Sequence, residues 1–158
     1  MNTDRVAVTI ARAGAADLDE LLALLGSYCE FYGVAPGRDA LRVLAEALLA
    51  DPDGAGIQLI ARDEGGTALG FATLYWTYST LAAGRIGVMN DLYVEPAARR
   101  AGVATALIRA CEAECAARGV GVLEWETAPE NHRAQSVYDR VGAARSTWVT
   151  YSLAVTPR

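Results

Sequence analysis

Two stretches of the chain carry residue types whose spacing could do chemistry. The first, residues 88–104, reads VMNDLYVEPAARRAGVA. An apolar strand pattern runs into a short loop with Arg99, Arg100, Gly102 and Ala104, and then into a helical pattern. The first amides of a helix have no partner inside it, and the helix dipole places partial positive charge there. Together they make an anion site. Gly102 and Ala104 have little or no side chain, so a phosphate can come close to the backbone. The two arginines can add charge-assisted bonds, and a pyrophosphate suits this arrangement. The segment lacks the G-x-G-x-x-G of a dinucleotide fold and the G-x-x-x-x-G-K-[ST] of a triphosphate loop, so a nicotinamide or ATP site is not the reading. R-x-x-G-x-A alone is a weak signal, and a basic loop with no ligand stands beside it.

The second stretch, 125–143, reads WETAPENHRAQSVYDRVGA. Asn131 can cap a helix through its side-chain oxygen. Asn131, Ala134 and Tyr138 then fall along one helical face. A small residue at 134 leaves room for a ligand chain, and Tyr138 offers a phenol one turn on. By itself, a tyrosine at such spacing is more often core than catalytic. Other chemistries find less support. The single histidine, His132, makes a Ser–His–Asp or Cys–His hydrolase improbable. Cys29, Cys111 and Cys115 are an odd set that reads as buried packing, neither a disulfide framework nor a zinc site.

These residues need elements to hold them. The pattern gives a strand over 6–11, a helix over 16–31, a helix over 38–50, and strands over 57–62, 68–78 and 86–94. A helix over 102–118 comes next, then a strand over 120–127, a helix from Asn131 to about Arg140, and a closing strand over 145–155. The strand–helix–strand step in the middle implies a parallel pair in a mixed sheet. The 158 residues suit one domain, 1–158. Net charge is −5, and all fourteen basic residues are arginine. That disfavours nucleic acid and favours a cationic substrate. Neither a membrane span nor an export signal is visible, so a cytoplasmic protein is expected.

Taken together, RRAGVA at 99–104 and N-x-x-A-x-x-x-Y-x-x-x-G at 131–142 resemble the GNAT superfamily of N-acetyltransferases. They match its pyrophosphate loop and its last conserved helix, in the right order and at the usual separation. NDLYV at 90–94 and NHRAQSVYDRVG at 131–142 are similar to the fungal histone/polyamine and D-amino-acid acetyltransferase group. GFATLYWTY at 70–78 and YCEFYG at 28–33 resemble spermidine/spermine N-acetyltransferases. The similarity spans nearly the whole chain and is strongest from 70 to 143. Two positions depart from the family pattern: Arg99 stands where glutamine is frequent, and Ala143 where phenylalanine is. The implied fold is α/β (α+β), a mixed sheet of about six or seven strands with about four helices.

The resemblance also implies roles. Acetyl-coenzyme A is the expected co-substrate, with no metal. Backbone groups of Leu92, Tyr93 and Val94 would pair with the pantetheine arm. Amides from Arg99 through Arg100, Ala101, Gly102 and Val103 to Ala104 would hold the pyrophosphate. Asn131 would bond the arm, Ala134 would line its path, and Tyr138 would sit by the sulfur as the acid. Asp91 is the candidate base, with Glu126 and Glu30 as other carboxylates that could act. Tyr28, Tyr32, Tyr75, Trp76 and Tyr78 could wall a cationic acceptor, or could equally be core or a dimer interface. A small-molecule amine, a polyamine or an amino acid, is the expected acceptor. A protein lysine or N-terminus is the alternative, and a non-catalytic acetyl-CoA sensor or interaction module is the alternative of another class. A homodimer is expected, partly to cover the edge of the 145–155 strand.

Overall fold

A computed structural model describes residues 7–157, which fall into two compact units, one ending at Glu126 and one beginning at Thr127. In the first unit the strands β1 (Thr9–Arg12), β2 (Gly56–Arg62), β3 (Ala68–Ser79), β4 (Gly84–Val94) and β5 (Leu123–Glu124) form one sheet in the order β1-β2-β3-β4-β5. The first four are antiparallel neighbours, while β4 and β5 run parallel. The sheet is therefore mixed, as the pattern implies. The helices are α1 (Leu18–Phe31), α2 (Arg38–Ala50) and α3 (Val103–Ala117), with α4 (His132–Arg140) in the second unit.

Strand alternation assigns the helices to opposite faces of the sheet. Phe71 and Tyr93 pack with Ile60 and with Leu21, Leu22, Leu24 and Leu25 of α1. Leucines at positions 18, 21, 22, 25 give α1 its apolar stripe, and full burial of each stabilises by roughly 1.5–3 kcal/mol. Leu74 and Trp76 point the other way, toward Cys115 of α3. Gly87 lies between them, where an added Cβ would meet the Cys115 sulfur at 2.6 Å. Cys111 is fully buried and its thiol is pushed up to about 12 by that burial, so both helix cysteines are packing groups, as expected.

One irregularity matters for function. Asp91 pairs with Thr73 while Met89 pairs with Leu74, which leaves Asn90 as an extra residue in β4. A bulge of this kind inverts the side-chain parity of the residues beyond it. Gly87 and Met89 face α3; past the bulge, Asp91 and Tyr93 face α1. Were Asn90 paired in regular alternation rather than bulged, Asp91 would share the face of Met89 and its carboxylate would point into the apolar layer under α3.

Three sequence expectations need correction. The sheet has five strands among the described residues, not six or seven. The 120–127 strand is only two residues long. No strand forms over 145–155, where Trp148, Val149, Tyr151, Leu153 and Val155 are all exposed. Alternation gave that segment strand character, but a strand also needs a hydrogen-bonding neighbour, which its own residues cannot supply. The β1 expectation began at residue 6, outside the described residues. In the second unit, the Asn131 side chain accepts from the Ala134 amide at 3.2 Å, so the expected cap of α4 is present. Gln135 donates to the Ala128 and Pro129 carbonyls and ties the preceding turn to the helix.

Candidate active site

At the start of α3 the chain makes an open cradle. Gly102 caps the helix at φ 84°, in the left-handed region, and no side chain takes up the cap. The Ala106 amide donates to the Gly102 carbonyl at 3.0 Å. The amides of residues 103–105, one turn earlier, lie before the first intrahelical bond. A Cβ built on Gly102 meets nothing within 4 Å, so the ground before those amides is open. Arg100 also has a positive φ, 69°. Such strain in a non-glycine residue collects at ligand sites. Orphaned donors, a helix N-terminus and free space are what a diphosphate requires, and the residues present fit one. Arg99 is partly committed elsewhere. Its Nε donates to the Val94 carbonyl at 2.9 Å and its guanidinium lies over the Phe31 ring. It thereby ties the loop to the end of β4.

The adjoining edge of β4 is free. β5 pairs only with Gly87 and Val88, so from Met89 to Val94 that edge has no strand partner among the described residues. The Glu95 amide donates to the Leu69 carbonyl at 2.8 Å, on the β3 side. Antiparallel strands alternate, so the peptide groups of Val94 and Leu92 face the open edge. An extended amide-bearing arm can add there as a further strand does. Tyr93 turns its side chain into the α1 core.

Across the sheet from α3 lies the acidic centre. Asp91 is 8% exposed. The Asn90 amide donates to its carboxylate at 3.0 Å, and the Tyr28 hydroxyl lies beside it on α1. Burial and the Asp91 charge drive the Tyr28 phenol far above its ordinary range, so it stays a proton donor. Burial, then the same charge, raises Tyr75 and Cys29. Asp91 enters no ion pair among the described residues. The Tyr28 ring stands edge-on to Tyr32, Phe71 and Tyr93, with the nearest centroid 5.0 Å away.

The remaining candidates lie on several elements. Trp76 is buried on the α3 face. Its Nε1 donates to the Pro52 carbonyl, and Arg118 lies over its ring at 4.5 Å. It is a core residue here, not an open wall for an acceptor. Tyr78 is exposed under Arg85. Glu30, Tyr32 and Glu126 are exposed. Asn131, Ala134 and Tyr138 are half-buried along α4 in the second unit, and Gly142 at φ 86° ends that chain segment. Sequence reasoning missed Asn90, Thr73 and Gln58. The signal available was a polar residue inside each of two apolar runs, IQLIAR and GFATLY.

The acetyltransferase (GNAT) family model matches residues 21–143. An uncharacterized N-acetyltransferase, YhfO of Bacillus subtilis (strain 168), is 32% identical over 149 residues, 94% of this chain and 98% of its own. The thialysine N-epsilon-acetyltransferase of Bos taurus is 26% identical, over 86% of this chain and 84% of its own. A crystal structure of a probable acetyltransferase superposes with a TM-score of 0.83 at 29% identity, covering 95% of this chain and 99% of that one. The chain belongs to the GNAT acetyltransferase family. It is an acetyl-CoA-dependent N-acetyltransferase, with acetyl-CoA as co-substrate. Among the described residues no helix is long and apolar enough to cross a membrane.

Proposed function

We propose that the enzyme acetylates the primary amine of a small cationic molecule, a polyamine or an amino acid, within one domain spanning 1–158. One observation carries this reading: Asp91 is a buried carboxylate with hydrogen-bond donors but no cation among the described residues. Buried charges in proteins are paired or neutralised, because an isolated one is expensive to desolvate. An acceptor ammonium supplies the missing charge, and the flanking Tyr28 and Tyr75 rings suit a cation. The name of the bovine relative adds support, since thialysine is an amino acid with a side-chain amine. The resemblance to polyamine and D-amino-acid acetyltransferases agrees with it.

Bound acetyl-CoA supplies an activated thioester carbonyl and a sulfur leaving group. The amides of residues 103–105 and the loop from Arg99 to Ala104 hold its diphosphate, and the free edge at Leu92 and Val94 aligns its arm. In the second unit the Asn131 oxygen serves the helix cap, which leaves its amide nitrogen to donate. Asp91 takes the proton that the ammonium must lose before attack. The Val94 N–H, on the open edge, polarises the carbonyl oxygen. The amine nitrogen bonds to the carbonyl carbon as the carbon–sulfur bond breaks; Tyr138 is the proposed acid, its phenol giving a proton to the departing sulfur and taking the one that the nitrogen sheds. A homodimer belongs to this reading, supported by the exposed apolar residues from Trp148 to Val155, which a second copy would cover, and a cytoplasmic location is proposed with it.

The test is thiol release from acetyl-CoA with spermidine, thialysine, an aminoglycoside and a lysine-bearing peptide as acceptors. Turnover on the small cationic amines is expected. Turnover on the peptide alone assigns a protein substrate. Coenzyme binding with no turnover on any of them makes the domain a sensor, and either result overturns the proposal.

A further inference from the structure

The buried polar residues of the described core number three, and they are cross-strand neighbours. Gln58 on β2 is 4% exposed, Thr73 on β3 is fully buried, and Asp91 on β4 is 8% exposed. Gln58 pairs with Thr73 and Thr73 pairs with Asp91 in the registers of the two ladders. All three share the α1 face. The next row along the strands on that face, Ile60, Phe71 and Tyr93, is apolar core. A hydroxyl and an amide placed there by chance would be anomalous, since polar groups cost stability when buried without full pairing.

The hydrogen bonds give the row a direction. The Gln58 Nε2 donates to Thr73 Oγ1 at 3.2 Å. Thr73 Oγ1 is then an acceptor on one side and keeps its own proton to donate. Its cross-strand neighbour on the other side is the Asp91 carboxylate, with Cβ atoms of such pairs roughly 5 Å apart. The far end of the row is incomplete: Gln58 Oε1 is buried and has no partner among the described residues. Asn90 donates to Asp91 from the bulge and Tyr28 lies beside it on α1, and Thr73 is its register partner on the third side.

We propose that Thr73 and Gln58 are positioning residues for Asp91. They form a buried donor row across three strands that fixes the carboxylate toward the acceptor amine, with one internal water able to bridge Thr73 and Asp91. The groups facing that carboxylate are Tyr28 and Cys29 from α1, Tyr75 and Thr73 from β3, and Asn90 on its own strand. The row rests on the reading of Asp91 given above. It is nevertheless separable from it.

The experiment compares wild type with Thr73→Val, Thr73→Ser, Gln58→Leu and Asp91→Asn, using spermidine and thialysine as acceptor probes. Three quantities are measured: the thermal midpoint, the calorimetric Kd for coenzyme A, and kcat/KM for the amine across pH 5 to 9, roughly the window in which catalytic bases titrate. Thr73→Val keeps the shape and removes the hydroxyl. It should lower kcat/KM at least about fivefold and displace the acidic limb of the profile, with the coenzyme Kd within twofold. Thr73→Ser restores the hydroxyl with less packing. Its profile should return to wild type although its thermal midpoint falls. Gln58→Leu should displace the limb in the same sense as Thr73→Val. A purely structural role moves the thermal midpoints and leaves the limbs superimposed, and that result overturns the row. If Asp91→Asn changes the profile and Thr73→Val does not, the row fails alone. If Asp91→Asn leaves the wild-type profile, or neither amine is turned over, the assignment of Asp91 fails and takes the row with it.

Discussion

Replacing Gly102 with alanine separates backbone strain from ligand binding, because the same helix provides a matched control. Gly102 caps the start of α3 at φ 84°, and Gly119 lies past its end at φ 66°; an added Cβ meets nothing within 4 Å at either place. Neither substitution makes a clash, so the stability loss comes from forcing an L-residue into the left-handed region. That strain is about 1–2 kcal/mol, and the stiffer unfolded chain returns about 0.4–1 kcal/mol. The net loss of about 1 kcal/mol lowers Tm by about 2–4 °C for a chain of this size. The two variants should therefore melt alike. Their coenzyme affinities should differ. At Gly102 the methyl enters the open space at the start of α3, and on this account it displaces the diphosphate from at least one charge-assisted hydrogen bond, worth about 1.5–3 kcal/mol. Calorimetry should show coenzyme A binding weakened about 10- to 100-fold in Gly102→Ala and unchanged in Gly119→Ala. Equal affinities in the two variants would refute the anion cradle.

Two further outcomes are expected from the site and from the packing. Tyr138→Phe should lower kcat about tenfold or more with the coenzyme Kd near wild type, and a variant with normal turnover removes Tyr138 from the chemistry. Glu114 joins β1 to α3 by accepting from Arg12 at 2.5–2.7 Å and from Arg118 at 2.6 Å. The bond from Arg12, more than any other influence, holds its carboxyl below the ordinary carboxylate range. That contribution is complete above the unfolded carboxylate pKa and is lost as pH falls through the depressed folded value. Glu114→Gln should cost about 1 kcal/mol near neutrality and lose less than wild type on acidification, as read from urea melts between pH 7 and pH 3, roughly the span of carboxylate titration.

Local sequence made the loop before α3 and the cap of α4 legible and the buried polar row across the sheet illegible. The loop at 99–104 and the cap at Asn131 are contiguous motifs whose chemistry is set by adjacent residues, and both lie where the pattern puts them. The helix over 38–50 shows the same thing, since its spacing alone defines the buried face. Trp76 shows the opposite. Its aromatic type suggested a pocket wall, but whether it is wall or core depends on strand parity and on Arg118, 42 residues away in sequence. Gln58, Thr73 and Asp91 are separated by 15 and 18 residues and meet only through register. The Asn90 bulge that turns Asp91 toward α1 is a pairing defect, invisible until both strands are aligned. The 145–155 segment has strand periodicity without a strand, since hydrogen-bond partners lie outside any local pattern.

The central claim is that Asp91, the one buried carboxylate among the described residues, receives the substrate's charge, and kinetics of Asp91→Asn address it most directly. The substitution keeps size and removes the negative charge. With saturating acetyl-CoA and a small cationic amine, kcat/KM should fall at least about tenfold, roughly 1.4 kcal/mol, while coenzyme affinity stays within twofold. An Asp91→Asn enzyme that handles the amine as wild type does would contradict the account.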